Sequence, residues 1–329
     1  MPARFQRVCV FGAGAIGGWI GARLALAGCD LSAVARGETL AALQAHGLRL
    51  DQGGETLTAP VRASADPATL GVQDLVLVAV KAPAMAQVAE RIAPLLGPQT
   101  VVLTAMNGVP WWFFQGFGGT YAGRSLESVD PGGRIAAAIP AGNVLGCIVH
   151  ASCALHGSGF VKHHFGNQLI LGEPAGGASE RVLALAALLA KAGIDTQVSE
   201  QIQKDCWYKL WGNMTVNPIS AITGVTTDQI MDDELVRGLV TQVMLEAKEI
   251  GARIGIPIAQ RPEDRHAVTR KLGAFKTSML QDVEAGRPVE LDALVGAVRE
   301  LGQITQTPTP FTDALFGLAR LHARGRGLY

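Results

Sequence analysis

Outside its N-terminal stretch, this 329-residue sequence has no apolar run long enough to cross a bilayer. The longest uninterrupted runs, such as Val182 to Ala190, fall well short of the roughly 20 residues a spanning helix needs. Net charge is missing too. The 28 Lys and Arg residues balance 28 Asp and Glu, so no global field draws the chain to nucleic acid or to an anionic membrane. Cysteine is scarce: Cys9, Cys29, Cys147, Cys153 and Cys206 are odd in number and show no CxxC or Cys/His metal spacing. Most lie in apolar segments, where a reduced thiol packs as a small hydrophobe, which points to a reducing cytoplasm. Internal repeats and low-complexity tracts are absent as well. What these absences leave is an ordinary two-domain soluble enzyme, because the length exceeds what a single core usually organises.

Arg4 and Arg7 followed by Val8 to Leu26 superficially resemble the charged and apolar parts of a secretory signal. The glycines argue against that. Gly12, Gly14, Gly17, Gly18 and Gly21 are spaced for a turn and a tightly packed helix. Arg7 to Phe11 reads as a short strand, Gly12-Ala13-Gly14-Ala15-Ile16-Gly17 follows at once, a helical pattern runs through Ile20, Leu24 and Leu26, and Leu31 to Ala35 returns to a strand. This is the context of a dinucleotide-binding turn: Gly12 makes the bend, Gly14 lets a pyrophosphate approach the backbone, and Gly17 lets the helix close on the sheet. The second strand ends on Arg36 rather than on an acid, which favours an adenosine 2′-phosphate and hence NADP over NAD. Asp30 is at the wrong end of that strand to hold a ribose.

Asp74 to Val80 runs into Lys81, and Thr100 to Met106 runs into Asn107-Gly108. Continuous apolar runs suit parallel strands buried on both faces, and ligands bind beyond the carboxyl ends of such strands. Lys81 and Asn107 are therefore cofactor-side candidates. Residues 111 to 143 lapse into Gly, Ser and Pro with an aromatic cluster, which reads as an insertion or lid over the site or, equally, a surface excursion. Strand signals return at Val144 to Ala151, Gly159 to His164 and Gln168 to Gly172, close enough for an antiparallel extension of the sheet. His150, His156, His163 and His164 lack zincin spacing and read as ordinary strand and loop residues. A helix over Val182 to Ala192 and a strand over Ile194 to Val198 close a first domain of residues 1–199.

Residues 200–329 follow the helical period almost throughout, with helices expected at 200–217, 228–254, 262–284, 290–303 and 309–323. The first carries Lys209, Asn213 and Asn217, with Pro218 next. Steps of four drift only about 40° each, so the three side chains form one stripe rising roughly 12 Å. Solvated helix faces carry Glu, Lys and Arg, whereas Trp207, Tyr208, Leu210, Trp211 and Met214 surround this stripe, which suits a small polyoxygenated ligand. Gly286-Arg287-Pro288 separates the third and fourth helices and places Glu290 near the start of the fourth. The helix at 228–254 suits an interface between two copies, giving a homodimer, or the domain core equally well.

The whole chain resembles the ketopantoate reductases (2-dehydropantoate 2-reductases). The resemblance rests on Gly12 to Gly17, Lys81, Met106-Asn107-Gly108, His150-Ala151, Lys209 with Asn213, Asn217 and Pro218, Ser278-Met279-Leu280-Gln281-Asp282, and Gly286 to Asp292. It implies an N-terminal Rossmann-type parallel sheet with an antiparallel extension and an all-helical C-terminal domain. The implied reaction is NADPH-dependent reduction of a 2-keto acid to a 2-hydroxy acid in a cleft between them. Lys209 would be the general acid that polarises and protonates the ketone oxygen. Asn213, Asn217 and Asn107 would hold substrate, Ser278 would contact the carboxylate, and Glu290 would orient Lys209 or the nicotinamide ribose. The implied cofactor set is Gly12, Ala13, Gly14, Ala15, Ile16, Gly17, Arg36, Lys81, Asn107, Ala151 and Glu290.

Two departures bear on the substrate. The best-known members carry another asparagine about ten residues beyond the position of Asn217, where this chain reads Gly224-Val225-Thr226-Thr227. The usual glutamine after the lysine is also missing from Lys81-Ala82-Pro83-Ala84. The leading expectation is reduction of 2-dehydropantoate to pantoate. Its alternatives are a reductase of another 2-keto or β-keto acid and a non-catalytic NADP(H)-binding sensor.

Overall fold

The computed structural model describes residues 5–329; Arg4, used above in weighing a secretory signal, lies outside them. The chain divides into two compact units, the first comprising residues up to Met106 with Arg134–Ile202, the second Asn107–Gly133 with Gln203–Tyr329.

The first unit holds one ten-stranded sheet. In chain order its elements are β1 (Arg7–Phe11), α1 (Ala15–Leu26), β2 (Asp30–Val34), α2 (Gly37–His46), β3 (Leu48–Gln52), β4 (Glu55–Ala59), β5 (Arg62–Ser64), β6 (Leu75–Val78), α3 (Met85–Arg91), β7 (Val101–Ala105), α4 (Arg134–Ala138), β8 (Val144–Gly157), β9 (Phe160–Gly172), α5 (Glu180–Lys191) and β10 (Asp195–Val198). The strand order is β4-β3-β9-β8-β7-β6-β1-β2-β5, with β10 paired to β9. Strands β5, β2, β1, β6, β7 and β8 run parallel, while β8–β9 and β3–β4 are antiparallel. The Rossmann-type sheet with an antiparallel extension is therefore present.

Every residue of β6 and β7 is buried, as central parallel strands covered on both faces require. Helix α1 buries Trp19, Ile20 and Leu24 completely. The apolar runs at Gly159–His164 and Gln168–Gly172 prove to be one strand, β9, because its start pairs with β3 and its end with β10. Helix α2 and strands β3, β4 and β5 were not anticipated. Their short runs carry no strong period and are held by neighbours distant in sequence.

Glu173, just past β9, accepts hydrogen bonds from Arg181 Nε at 2.7 Å and from the Ser179 hydroxyl. Burial pushes the Glu173 carboxyl upward, but its bonds from Arg181 and Ser179 outweigh that and hold it below its ordinary value of 4.5. A depressed carboxylate contributes stability in full above the unfolded value and loses it as pH falls through the folded one. Urea unfolding of the wild type should therefore weaken progressively below about pH 4.5, whereas Arg181→Met should be weaker already at neutral pH and show a flatter acid limb. The expected neutral-pH loss is about 1–3 kcal/mol, the buried-pair range discounted because 20% and 11% of the two side chains remain exposed. Parallel acid limbs in the two proteins would contradict this.

The second unit is helical: α6 (Ile202–Thr223), α7 (Thr227–Asp232), α8 (Glu234–Arg253), α9 (Pro262–Arg270), α10 (Ser278–Glu284), a π-helical turn at Asp292–Gly296 leading into α11 (Ala297–Thr305), and α12 (Pro310–Gly325). Three expectations change here. Helix α6 does not stop at Asn217 but carries Pro218 inside it; proline costs one backbone bond, and burial of Pro218, Ile219 and Ala221 offsets that loss. The single helix expected over 228–254 is two, because the Asp233 carboxylate takes the N–H groups of Leu235 and Val236 and starts α8 afresh. The helix expected over 262–284 is also two, interrupted where Gly273 takes φ 63° and Thr277 caps α10.

The domain boundaries expected at 199 and 200 also move. Residues 107–133 belong to the helical unit, while 134–202 belong to the sheet unit. The aromatic segment is core rather than lid. Trp111, Trp112, Phe113 and Phe114 are buried, and the Phe113 ring lies 6.2 Å from that of Trp207 on α6. Gln203 Nε2 donates to the Phe113 carbonyl at 3.1 Å. The Glu300 carboxylate on α11 receives the N–H groups of Glu127 and Ser128, each at 2.8 Å. Four large apolar side chains of this size find far more contact area within a helical unit than a solvent-facing lid provides.

Candidate active site

In the first unit, Phe11, Val34 and Val78 stand side by side at the carboxyl ends of β1, β2 and β6. Gly12, Arg36 and Lys81 therefore leave the sheet along one edge. Gly12 has φ +104°, and a Cβ there would lie 2.8–2.9 Å from Val80 and Ala79, so the bend needs glycine both for its conformation and for its closeness to the end of β6. A Cβ on Gly17 would stand 2.2 Å from the Gly12 carbonyl oxygen, whereas one on Gly14 would meet nothing within 4 Å. Gly14 is the N-cap of α1 without any side-chain cap, and the first turn contains no acid. The unmet N–H groups of Ala15, Ile16 and Gly17 together with the positive helix end thus border an open space beside a residue with no side chain. That arrangement fits a pyrophosphate. Ala13 is buried, while Ala15 and Ile16 are partly exposed.

Arg36 is exposed and donates to Gln87 Oε1 on α3 at 2.9 Å. Lys81 is exposed at the start of a single 3₁₀ turn, Ala82–Ala84. Strand β8 runs on past its pairing with Ala105 of β7, and Ala151 lies on that overhang, at the irregularity between His150 and Ser152. His163 stacks on Trp19 with ring centroids 5.5 Å apart, and His156 meets Phe160 edge-on at 5.0 Å. Among the described residues, no group of three or more His, Cys, Asp or Glu is disposed to hold a metal ion.

In the second unit, Lys209, Asn213 and Asn217 lie on the uninterrupted α6, and Lys209 Nζ donates to Asn107 Oδ1 at 2.9 Å. The segment carrying Asn107 is clamped from two sides. Gly108, at φ +85°, leaves no room for a Cβ, which would fall 2.5 Å from the Ala293 carbonyl oxygen. That oxygen accepts the Val109 N–H at 2.8 Å, and Cys206 Sγ, one turn before Lys209, donates to the Gly108 carbonyl at 3.3 Å. The π-helical turn carrying Ala293 begins just after Glu290, whose own carbonyl accepts the Leu294 N–H at 3.2 Å. π-turns of this kind recur where a helix is bent to serve a site.

Glu290 is a buried acid at 4% exposure. Asp282 and Arg287, paired at 3.0 Å, brace the turn that delivers it. Asn217 is 5% exposed and Asn213 partly buried, yet neither side-chain amide has a hydrogen-bond partner among the described residues. A buried amide seldom goes unmatched, so the α6 stripe carries capacity that no protein group uses. Ser278 is the partly buried first residue of α10, its hydroxyl likewise without a partner among the described residues; no hydrogen bond joins it to α6.

Residues 8–111 match the family model described as Ketopantoate reductase PanE/ApbA, and residues 201–323 match its C-terminal model. A 2-dehydropantoate 2-reductase of Mesorhizobium japonicum is 48% identical over 98% of this chain and 100% of its own length. The chain belongs to the ketopantoate reductase family. This makes it an oxidoreductase of the 2-hydroxyacid type. Among solved structures, a protein of Ralstonia solanacearum MolK2, described as a candidate ketopantoate reductase, is 58% identical, with a TM-score of 0.96 over 99% of this chain and all of that one. The 2-dehydropantoate 2-reductase of Methylococcus capsulatus is 28% identical, with a TM-score of 0.83 over 97% of each chain.

Set against the ketopantoate reductase pattern, Thr227, in the stretch that corresponds to the further substrate asparagine, is engaged within the protein. Its hydroxyl donates to the Gly273 carbonyl at 2.9 Å and its N–H to that of Phe275 at 3.0 Å. One charged group beside the stripe escaped the sequence reading. Arg265 of α9 lies against Gly212 of α6, where a Cβ would be 2.6 Å from its Nε, and its guanidinium carbon is 5.4 Å from the Tyr208 ring centroid. A glycine within a helix that is otherwise apolar and aromatic was the available signal.

Proposed function

We propose that this protein reduces a 2-keto acid with NADPH, with 2-dehydropantoate as the first substrate to test. The observation that carries this reading is the α6 stripe: an ammonium held by Asn107 at 2.9 Å, with two unpartnered amides one and two turns further on. When bound, the nicotinamide supplies a hydride to the carbonyl carbon. The chain's own contribution is to hold the acid and to manage charge on its oxygen. Lys209 is positioned by Asn107, so that its ammonium polarises the ketone and delivers the proton that the developing alkoxide takes up. Asn213 and Asn217 offer both donors and acceptors to substrate oxygens, and the Ser278 hydroxyl serves the carboxylate. Glu290, buried just before the π-turn, orients Lys209 or the ribose.

For the cofactor, Gly12 to Gly17 would take the pyrophosphate on the uncapped end of α1 and Arg36 the 2′-phosphate, while Lys81, Asn107 and Ala151 would each add a contact. Two opposite charges, the Arg36 guanidinium and a 2′-phosphate, form a charge-assisted pair. Arg36→Ala should therefore cut the kcat/KM for NADPH about tenfold or more while leaving that for NADH almost unchanged. A wild-type NADPH to NADH efficiency ratio near unity would overturn the preference.

The engagement of Thr227 with Gly273 and Phe275 removes one substrate contact found in the best-known members and favours an acid other than 2-dehydropantoate as the second reading. NADPH oxidation measured across a panel of 2-keto acids that includes 2-dehydropantoate tests both. Fastest turnover of 2-dehydropantoate supports the first reading, preference for another member of the panel supports the second, and inactivity with all of them rejects the enzyme reading.

A further inference from the structure

Arg265 is a charged group beside the α6 stripe to which the proposed reaction gives no part. It is only partly exposed. Burial pulls its guanidinium below the usual arginine range, opposed by the neighbouring Tyr208. No carboxylate among the described residues pairs with it, and its buried Nε has no hydrogen-bond partner. Arginines withdrawn from water are ordinarily matched by an acid, because an unpaired desolvated charge is costly. Five other arginines of the second unit, Arg253, Arg261, Arg270, Arg287 and Arg299, each meet a carboxylate.

The helix beneath it is adapted to this cation. Gly212 is buried in the middle of α6, where glycine is a poor helix former, and the space its missing Cβ leaves is filled by the guanidinium, with Nε, Nη2 and Cζ at 2.6, 2.7 and 3.0 Å from where a Cβ would be. Tyr208, one turn earlier, lies under the same guanidinium, 5.4 Å from centroid to Cζ. Gly212 is followed directly by Asn213 and preceded three residues earlier by Lys209. A cation is thus seated against the same two turns of α6 that carry the stripe.

We propose that Arg265 is a specificity-determining residue that receives the carboxylate of the 2-keto acid, with Gly212 as its seat. This inference rests on the keto acid reductase reading above. A guanidinium offers two parallel donors to a carboxylate; its Nε is sealed against Gly212, so the two terminal Nη groups are the end that would meet the acid. The role sets this chain's selection of an acid over its neutral analogues and leaves proton delivery to Lys209.

The test compares a 2-keto acid with its carboxamide as substrates, with NADPH, for the wild type, Arg265→Met, Arg265→Lys and Gly212→Ala. Arg265→Met keeps an apolar stem and removes the charge. Gly212→Ala keeps the charge and displaces only the flexible end of the side chain. Arg265→Met should raise KM for the acid at least about tenfold, the loss of one charged hydrogen-bonded contact, with a smaller change in kcat and an unaltered KM for NADPH. The preference for acid over amide should collapse in Arg265→Met, shrink in Gly212→Ala and be partly retained in Arg265→Lys. A preference kept at the wild-type value in Arg265→Met and Gly212→Ala, both folded by circular dichroism, overturns the proposal; if Arg265→Met does not fold, the other two variants decide. Should the wild type reduce no 2-keto acid, the reductase reading fails, and calorimetric titration with oxalate then decides the anion site separately. Binding lost in the variants supports it and equal binding rejects it.

Discussion

Lys209→Ala is expected to lower kcat for 2-keto acid reduction by about 10²–10⁴-fold, the range for loss of a positioned general acid, while NADPH binding followed by fluorescence titration stays at the wild-type level. The split follows from where the residue is. Lys209 is on α6 of the helical unit and its ammonium is committed to Asn107 Oδ1 at 2.9 Å, whereas the glycine turn, Arg36 and Lys81 all belong to the sheet unit. An ammonium supplies both the charge that steadies an alkoxide and the proton that quenches it, so removing it raises the barrier without removing a cofactor contact. Lys209→Arg keeps the charge but surrenders its proton poorly, and should remain far below wild type. A protein that merely senses NADP(H) would bind and respond as before in both variants. Unchanged turnover in Lys209→Ala would remove the lysine from the mechanism.

The second large effect concerns two glycines of one turn that ought to respond in opposite ways. Gly17→Ala places a methyl 2.2 Å from a backbone oxygen, that of Gly12, and 3.0–3.1 Å from Ala79 and Val10. Backbone cannot yield as the end of a side chain can, so α1 must lift from β1 and β6, at about 1–3 kcal/mol or more for overpacking. The melting temperature should fall with or without NADPH. Gly14→Ala puts its methyl into open space, so the melting temperature without cofactor should be close to wild type. The stabilisation added by NADPH should nevertheless shrink sharply, because that space is where the phosphate would lie. Differential scanning fluorimetry with and without NADPH separates the two. Equal NADPH-induced shifts in Gly14→Ala and the wild type would place the phosphate elsewhere.

Much of this molecule was legible before any coordinates. The strand, glycine turn, helix and strand of residues 7–34 follow from local chemistry, because close packing of α1 on the sheet demands glycine where a Cβ has no room. The α6 stripe was legible for a related reason: a step of four on a helix is a local property, and amides among Trp, Leu and Met stand out. Element ends were less visible. Pro218 reads as a stop, yet α6 continues to Thr223 because burial of the following turn outweighs one lost bond. Asp233 divides a continuous helical pattern by capping, a competition between side chain and backbone that periodicity cannot register.

By itself the sequence determined the strand, glycine turn and helix at the N-terminus, the membership of a family and the residues of the stripe, because each is carried by residue types at short, fixed spacings along the chain. Only the tertiary structure decided the rest. Residues 107–133 join the helical unit because four buried aromatics find their partners, such as Trp207, about a hundred positions away. Asn107 reaches Lys209 because Gly108 permits an approach to Ala293 that no other residue allows. Arg265 comes to rest on Gly212 across 53 positions, and although the glycine in mid-helix hints at a close neighbour, nothing in the local sequence names Arg265 as that neighbour. Contacts of that range depend on how elements pack, and packing is decided by side-chain volume and unmet polarity summed over the whole unit rather than by any pattern along the chain.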